Sequence, residues 1–323
     1  MKEIFKPGIH WLFVFVPVSI GLNMAEASAP LIFFSSALSI IPIARLLGTA
    51  TENLATYTGD AVGGLLNATF GNFPELIIAV VALNAGLHDM VLASLAGAIL
   101  ANLLLATGLS FLVGGTKFHN QDYNPAGIRV YSSMMLIAVI SLTIPSGFHQ
   151  LGDAYAEDET ALNIGLAIGL LVAYALYLVF MLKTHADFFK SVSPETSEEH
   201  EGHWSMKKAI IMLVLASIGA AFMSEILVGA AEATGEVLGM SSVFIGVIFL
   251  AVVGGAAESI SAVSMAAKNK MDLSIGIALG SSIQIALFVA PLLVILSMFI
   301  GPHQMNLAFS KTLIIAMFLA VLL

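Results

Sequence analysis

Gly71-Asn72-Phe73-Pro74-Glu75 and Gly254-Gly255-Ala256-Ala257-Glu258 are the stretches on which the reading of this chain turns. They lie 183 residues apart, and each sets a glutamate inside a long apolar run. At that offset residues 71–108 share eight identities with their partners: Gly71/Gly254, Glu75/Glu258, Ile77/Ile260, Ala79/Ala262, Val80/Val263, Asp89/Asp272, Gly97/Gly280 and Leu104/Leu287. Two apolar segments match at several positions by composition alone. The shared glutamates and glycines are harder to dismiss.

The surroundings of these stretches identify their solvent. Of 323 residues, 59% are apolar and 10% charged, where roughly 25% charged is usual in soluble domains. The mean hydropathy is +0.97. These values exclude a disordered chain and an ordinary soluble enzyme. A formal net charge of −9 argues against a nucleic-acid partner, and the lack of cysteine excludes disulfides and thiolate metal sites. A polytopic membrane protein remains.

About 20 apolar residues make a helix long enough to cross the hydrocarbon core. Ten stretches qualify, near 8–25, 29–50, 63–84, 91–114, 130–147, 162–182, 208–228, 241–267, 272–300 and 305–323. Turn-rich joints such as Asn84-Ala85-Gly86 and Asn269-Lys270 separate them. The expected fold is an all-α membrane helix bundle. The first stretch also reads as a signal peptide, with small residues near Ala25–Ala29; a retained helix is the preferred reading.

Loop charge assigns the faces. Lys2, Lys6, Arg45, Lys117, Arg129, Lys183, Lys190, Lys207, Lys208, Lys268 and Lys270 all fall on the N-terminal side. The alternate loops lack Lys and Arg until Lys311, and two are acidic, holding Asp153, Glu157, Asp158 and Glu159 in one and Glu225, Glu232 and Glu236 in the other. The N-terminal side is therefore expected to be cytoplasmic, and a prokaryotic cell membrane is expected rather than a vacuolar one. On this count the third span, with Glu75, runs outward and the eighth, with Glu258, runs inward. The duplicated segments cross in opposite senses, the inverted-repeat plan of secondary transporters. The expected division is a leader helix at 1–28, a first half at 29–182, an acidic linker at 183–207 and an incomplete second half at 208–323. The linker reads as a solvated joint or as a cation-sensing segment.

Each glutamate is roughly 13 Å from the nearer face at 1.5 Å per residue. A charge at that depth costs about 2.5–3.5 kcal/mol on the mildest scale. Two carboxylates meeting there repel, so an ion-free pair holds a proton, whereas a divalent cation neutralises both. Oxygen ligands suit Ca²⁺ or a similar hard ion. Competition of protons and a cation for one pair of groups is the physical basis of antiport. A protonated glutamate merely tying helices together is the plainer alternative.

Asn72 lies one turn before Glu75, and Asn102, Ser281, Ser282 and Gln284 sit inside the fourth and ninth spans. These can complete a coordination shell or bridge helices. Gly71, Gly97, Gly254 and Gly280 can open a helix toward an ion or simply pack. Glu52 and Glu225 open a matching pattern in Thr51-Glu52-Asn53-Leu54 and Ser224-Glu225-Ile226-Leu227. They read as entrance acids on opposite faces or as plain interfacial carboxylates.

The two motif regions resemble the alpha-repeats of cation/proton exchangers in the Ca²⁺:cation antiporter superfamily. The residues that carry this are Gly64-Leu65-Leu66-Asn67-Ala68-Thr69-Phe70 running into Gly71–Ala79, then Gly254–Ser259, Lys268–Leu273 and Gly280–Pro291. The resemblance implies Ca²⁺/H⁺ exchange, with Glu75 and Glu258 at the paired acidic ligands and Asn72, Asn102, Ser281 and Gln284 lining the same cavity. Such exchangers usually carry Asn and His where this chain has Gly255 and Ser259. They have eleven spans, and repeat arithmetic leads one to expect about 40 further residues in the second half.

The expected function is an alternating-access antiporter that exports cytosolic Ca²⁺ in exchange for H⁺. Glu75 and Glu258 couple to protons and, with Asn72, Asn102, Ser281 and Gln284, bind the metal ion. Ca²⁺ is then the transported substrate, and neither a cofactor nor a nucleic acid is expected; the bilayer is the surrounding partner, and homo-oligomerisation stays open. A Na⁺-coupled or Mn²⁺-selective exchanger is the nearest rival. An intramembrane hydrolase lacks a GxGD, HExxH or GxSxG element, for which Thr58-Gly59-Asp60 is no substitute. A channel would transport without a counter-gradient.

Overall fold

The computed structural model describes residues 8–58, 63, 65–66, 69–149, 156–189 and 204–323. The acidic run Glu195, Glu198, Glu199 and Glu201 lies outside these residues, as do Lys2, Lys6, Asp60, Gly64, Asn67, Ala68, Asp153 and Lys190 and the side chains of Glu157 and Asp158.

Every regular element among the described residues is helical. In lipid a helix satisfies its backbone polar groups within one segment, so an apolar chain of this kind has few other options. The helices are α1 (Ile9–Met24), α2 (Ala29–Ala55), α3 (Phe73–Asn84), α4 (His88–Lys117), α5 (Pro125–His149), α6 (Glu159–Thr184), α7 (Met206–Leu238), the bent pair α8a (Ser242–Gly254) and α8b (Ala256–Ala266), α9 (Met271–Leu296) and α10 (Lys311–Leu322). Six of them (α2, α4, α5, α6, α7 and α9) are long and apolar enough to cross a membrane, and α8a and α8b, bent by 57° at their junction, pass the same test only as a pair. α1, α3 and α10 are shorter apolar helices.

Local chemistry places the ends. Ser205, Ser241 and Ser310 each precede a helix and accept a hydrogen bond from the backbone N–H three residues on, the usual cure for an orphan first-turn donor. The expected joints at Gly86 and Asn269 both turn through the left-handed region, at φ 79° and 62°. They are repeat partners at the 183-residue offset, and Gly and Asn are the residues that tolerate this conformation.

The tenth helix starts later than the sequence suggests. Helicity begins at Lys311, and the chain before it is extended enough to bury Met305, Leu307 and Phe309 on one side. Apolar content alone made this segment read as helix. Side chains of neighbouring elements replace the helical hydrogen bonds instead: Met305 N–H donates to Ser297 Oγ, Leu307 N–H to Asn163 Oδ1 and Phe309 N–H to Ser146 Oγ.

One apolar core joins α3 through α6 with α9 and α10, and a second joins α2, α7 and α8a. Close backbone approach, the characteristic packing of helices in lipid, brings α4 onto α8a. A Cβ on Gly97 would lie 2.4 Å from the Val247 carbonyl oxygen, and one on Gly246 would lie 2.6 Å from that of Met90. The glycines are what let these two helices touch.

Candidate functional site

Both glutamates stand in the first turn of a half-helix. Residues 69–70 are helical, residues 71–72 turn, and α3 then carries Glu75 in its first turn. In the second half α8a ends at Gly254, and α8b carries Glu258 in its first turn. A helix N-terminus favours negative charge, and the last carbonyls of the preceding half-helix are free to face a cation. Gly71 and Gly254 were the places where a helix was expected either to open or to pack, and the breaks fall directly beside them, at Asn72 and Gly255.

Gly254 brings the two breaks together. A Cβ there would lie 2.9 Å from Glu75 Cγ, so the α8 break rests directly on the Glu75 side chain. Glu258 lines one cavity with Glu52 and Asn72. Glu75 is only 7% exposed. Neither of its carboxyl oxygens, nor Glu258 Oε2, receives a hydrogen bond from any other described residue. Buried polar oxygens are almost always partnered, so such a group needs a proton or a cation to sit there.

The neutral residues expected near the pair form one hydrogen-bonded chain. Asn102 Nδ2 donates to Ser281 Oγ at 2.8 Å, and Ser281 Oγ donates to Asn72 Oδ1 at 2.7 Å. Asn72 Nδ2 then donates to Gln284 Oε1. The chain crosses from α4 through α9 to the α3 break and back to α9. With its amide nitrogen engaged, Asn102 turns Oδ1 toward Gly255, 3.8 Å from where a Cβ would be. Ser282 takes no part; its hydroxyl bonds the Ala278 carbonyl within α9.

The α-helical hydrogen-bond pattern lapses at matching places beside this chain. Residues Ala101–Ala106 and Ile285–Val289 are π-helical, and single π-turns inside α-helices are frequent at functional sites. Thr107 Oγ1 bonds the Asn102 carbonyl and steadies the first of them.

A cavity of about 370 Å³ leads to the site. Its lining includes Asn72, Glu258, Ser281 and Gln284 together with Glu52, Tyr131, Tyr177, Ser261, Arg45, Asn124, Phe188 and Asp272. Asn124, Phe188 and Asp272 lie in or beside the joints that also carry Lys117, Arg129, Lys183 and Lys268. Asp272 accepts a hydrogen bond from the Asn124 backbone N–H, and Asn124 Nδ2 holds the Phe188 carbonyl at 3.0 Å. On the other side Glu75 meets Ser94, Leu95, Ala98, Leu250, Ala251 and Ile285, which leave about 10 Å³. That is room for no more than one water.

The structure thus gathers Glu75, Glu258, Asn72, Asn102, Ser281 and Gln284 at one place, with Glu52 lining the same cavity. Glu225 is not brought there; it is exposed on α7. Tyr131, Tyr177 and Ser261 were not foreseen, because an aromatic or a serine in an apolar span reads as packing. Asp272 carried a signal, its identity with Asp89 across the repeat.

The chain is similar to known proteins over most of its length. The family described as "sodium/calcium exchanger protein" matches residues 28–183 and 208–323. A Ca²⁺/H⁺ antiporter of Bacillus subtilis, ChaA, is 44% identical over 95% of this chain and 88% of its own length. Vacuolar cation/proton exchanger 3 of Oryza sativa subsp. japonica is 38% identical over 99% of this chain and 79% of its own. The solved structure of native YfkE superposes with a TM-score of 0.82 at 40% identity, covering 96% of this chain and 89% of that one.

Proposed function

The chain belongs to the sodium/calcium exchanger protein family, and from that membership we propose that it exports Ca²⁺ from the cytosol in exchange for H⁺ by alternating access at the Glu75–Glu258 site. The observation that carries the reading is the Glu75 carboxyl, buried without a hydrogen bond from any other described residue and resting on the break that leads to Glu258. Two carboxyls and an amide oxygen make a set of hard oxygen donors. Ca²⁺ takes 6–8 oxygens at 2.3–2.6 Å in flexible geometry, and such a set suits it.

Each turn of exchange follows from charge balance. Two carboxylates and one divalent cation sum to zero, and so do two carboxylic acids, so either load crosses the low-dielectric middle without net charge. The carboxylates alone would carry two charges through it, at a cost of several kcal/mol. Uncoupled return is thereby suppressed.

The cavity that Glu258 shares with Asn124, Phe188 and Asp272, residues of the Lys- and Arg-bearing joints, and the tight packing behind Glu75 support an inward-open arrangement with the N-terminal side cytoplasmic. Glu52 then serves as the inner entrance acid, and Glu225 serves the outer face after the halves rock. The halves at 29–182 and 208–323 are the two inverted units, and similarity to the Bacillus antiporter supports a prokaryotic cell membrane as the location.

Reconstitution tests the reading. An imposed pH gradient should drive ⁴⁵Ca²⁺ uptake into proteoliposomes, and a Na⁺ gradient should not. Glu75→Gln and Glu258→Gln should each abolish uptake while eluting as folded protein. Normal transport by both variants would overturn the proposal.

A further inference from the structure

The two halves break their helices at equivalent residues and equip the breaks differently. Asn72 stands at the first break with φ −97° and ψ 27°. Gly255, its partner at the 183-residue offset, stands at the second with φ −80° and ψ 12°. Any L-residue adopts this backbone, so conformation does not require glycine at 255. Packing asks only for a few tenths of an ångström of adjustment. A Cβ on Gly255 would meet the Ala251 carbonyl oxygen at 3.3 Å, Glu75 Oε1 at 3.6 Å and Asn102 Oδ1 at 3.8 Å. At Gly254, by contrast, a Cβ would press on Glu75 Cγ at 2.9 Å.

The side-chain direction of residue 255 therefore points between two of the oxygens assigned to the ion, and glycine adds no side-chain donor to that flank. In the first half the equivalent amide is committed to Ser281 and Gln284. The shell is lopsided. An ion held by Glu75, Glu258 and Asn102 Oδ1 reaches its usual 6–8 ligands with water on the Gly255 flank. Water moves outward for a larger ion, which an amide on a helix break cannot do. Fixed-length donors select ion size, and exchangeable ones do not.

We propose that Gly255 is the position that sets cation-size selectivity, so that the site accepts the larger alkaline-earth ions Sr²⁺ and Ba²⁺ along with Ca²⁺. The inference rests on the two-glutamate reading above. Its first test uses the unaltered protein: Sr²⁺ and Ba²⁺ should each inhibit ⁴⁵Ca²⁺ uptake into proteoliposomes at concentrations within about tenfold of unlabelled Ca²⁺. A second test fills the flank. Gly255→Asn should lower Sr²⁺ and Ba²⁺ uptake relative to Ca²⁺ by about tenfold, the scale on which an overfilled pocket discriminates. Gly255→Ala adds bulk without a donor, and it should raise the Ca²⁺ KM instead. Failure of Sr²⁺ and Ba²⁺ to compete in the unaltered protein overturns the proposal whether or not either variant folds. An active Gly255→Asn protein with unchanged cation ratios overturns it too. Neither result touches the glutamate reading, which fails separately if Glu75→Gln and Glu258→Gln transport normally.

Discussion

Gly254 lies against Glu75 so closely that a single added methyl would come within 2.9 Å of Glu75 Cγ. The contact couples the broken helix of one half to the carboxyl of the other. Gly254→Ala should therefore displace the carboxyl as well as strain the packing. Overpacking of this kind costs about 1–3 kcal/mol. A lowered melting temperature in detergent, together with a Ca²⁺ KM raised several-fold, is the expected pair of results. A change in stability alone would mean that Glu75 moves freely.

Ser281 is the middle of the chain from Asn102 to Gln284, donating to Asn72 and accepting from Asn102. Ser281→Ala leaves a buried amide donor and a buried amide oxygen without partners. Each orphan costs about 1–3 kcal/mol. Thermal unfolding should show the loss, and uptake should fall because Asn102 Oδ1 is no longer held in place. Ser282→Ala, whose hydroxyl bonds only within α9, should change transport little.

Ca²⁺ and protons contend for the same carboxyl oxygens, so binding Ca²⁺ must release protons and weaken as pH falls. Calorimetry in buffers of differing ionisation enthalpy should count that release. Glu75→Gln should abolish or halve it, and an unchanged proton count would place the coupling elsewhere.

Ser146 ties the extended segment before α10 to α5. Its Oγ accepts from the Phe309 N–H at 2.9 Å and lies 3.1 Å from the Leu307 carbonyl oxygen. Ser146→Ala should lower stability by about 1–2 kcal/mol and speed hydrogen exchange at Phe309. The segment is remote from the glutamates, so Ca²⁺ KM should hold.

At the left-handed joints the repeat partners should respond in opposite directions. Gly86→Ala places a methyl at φ 79° and 2.8 Å from Pro302 Cγ, and a loss of about 1 kcal/mol or more is expected. Asn269→Gly relieves φ 62° and should be neutral or slightly stabilising. Paired thermal melts of the two variants would decide this.

Much of the architecture was legible in the residue order. Apolar run length, turn residues at Gly86 and Asn269 and the spacing of Glu75 and Glu258 are local or periodic signals. In lipid such signals settle helix existence, because no other solvent satisfies the backbone. They also pointed to the site, since a duplicated carboxylate inside apolar helices has few structural uses. Tertiary structure alone decided the remainder. That Phe309 and Leu307 run extended depends on Ser146, Asn163 and Ser297 meeting their backbone from other helices. That Asn102, Ser281, Asn72 and Gln284 join into one chain depends on how α4, α9 and the α3 break are packed. And the closeness of Gly254 to Glu75 belongs to two segments 179 residues apart. Hydrophobic pattern specifies which segments enter the membrane; which polar atoms meet inside it depends on the approach of backbones, and no local signal encodes that distance.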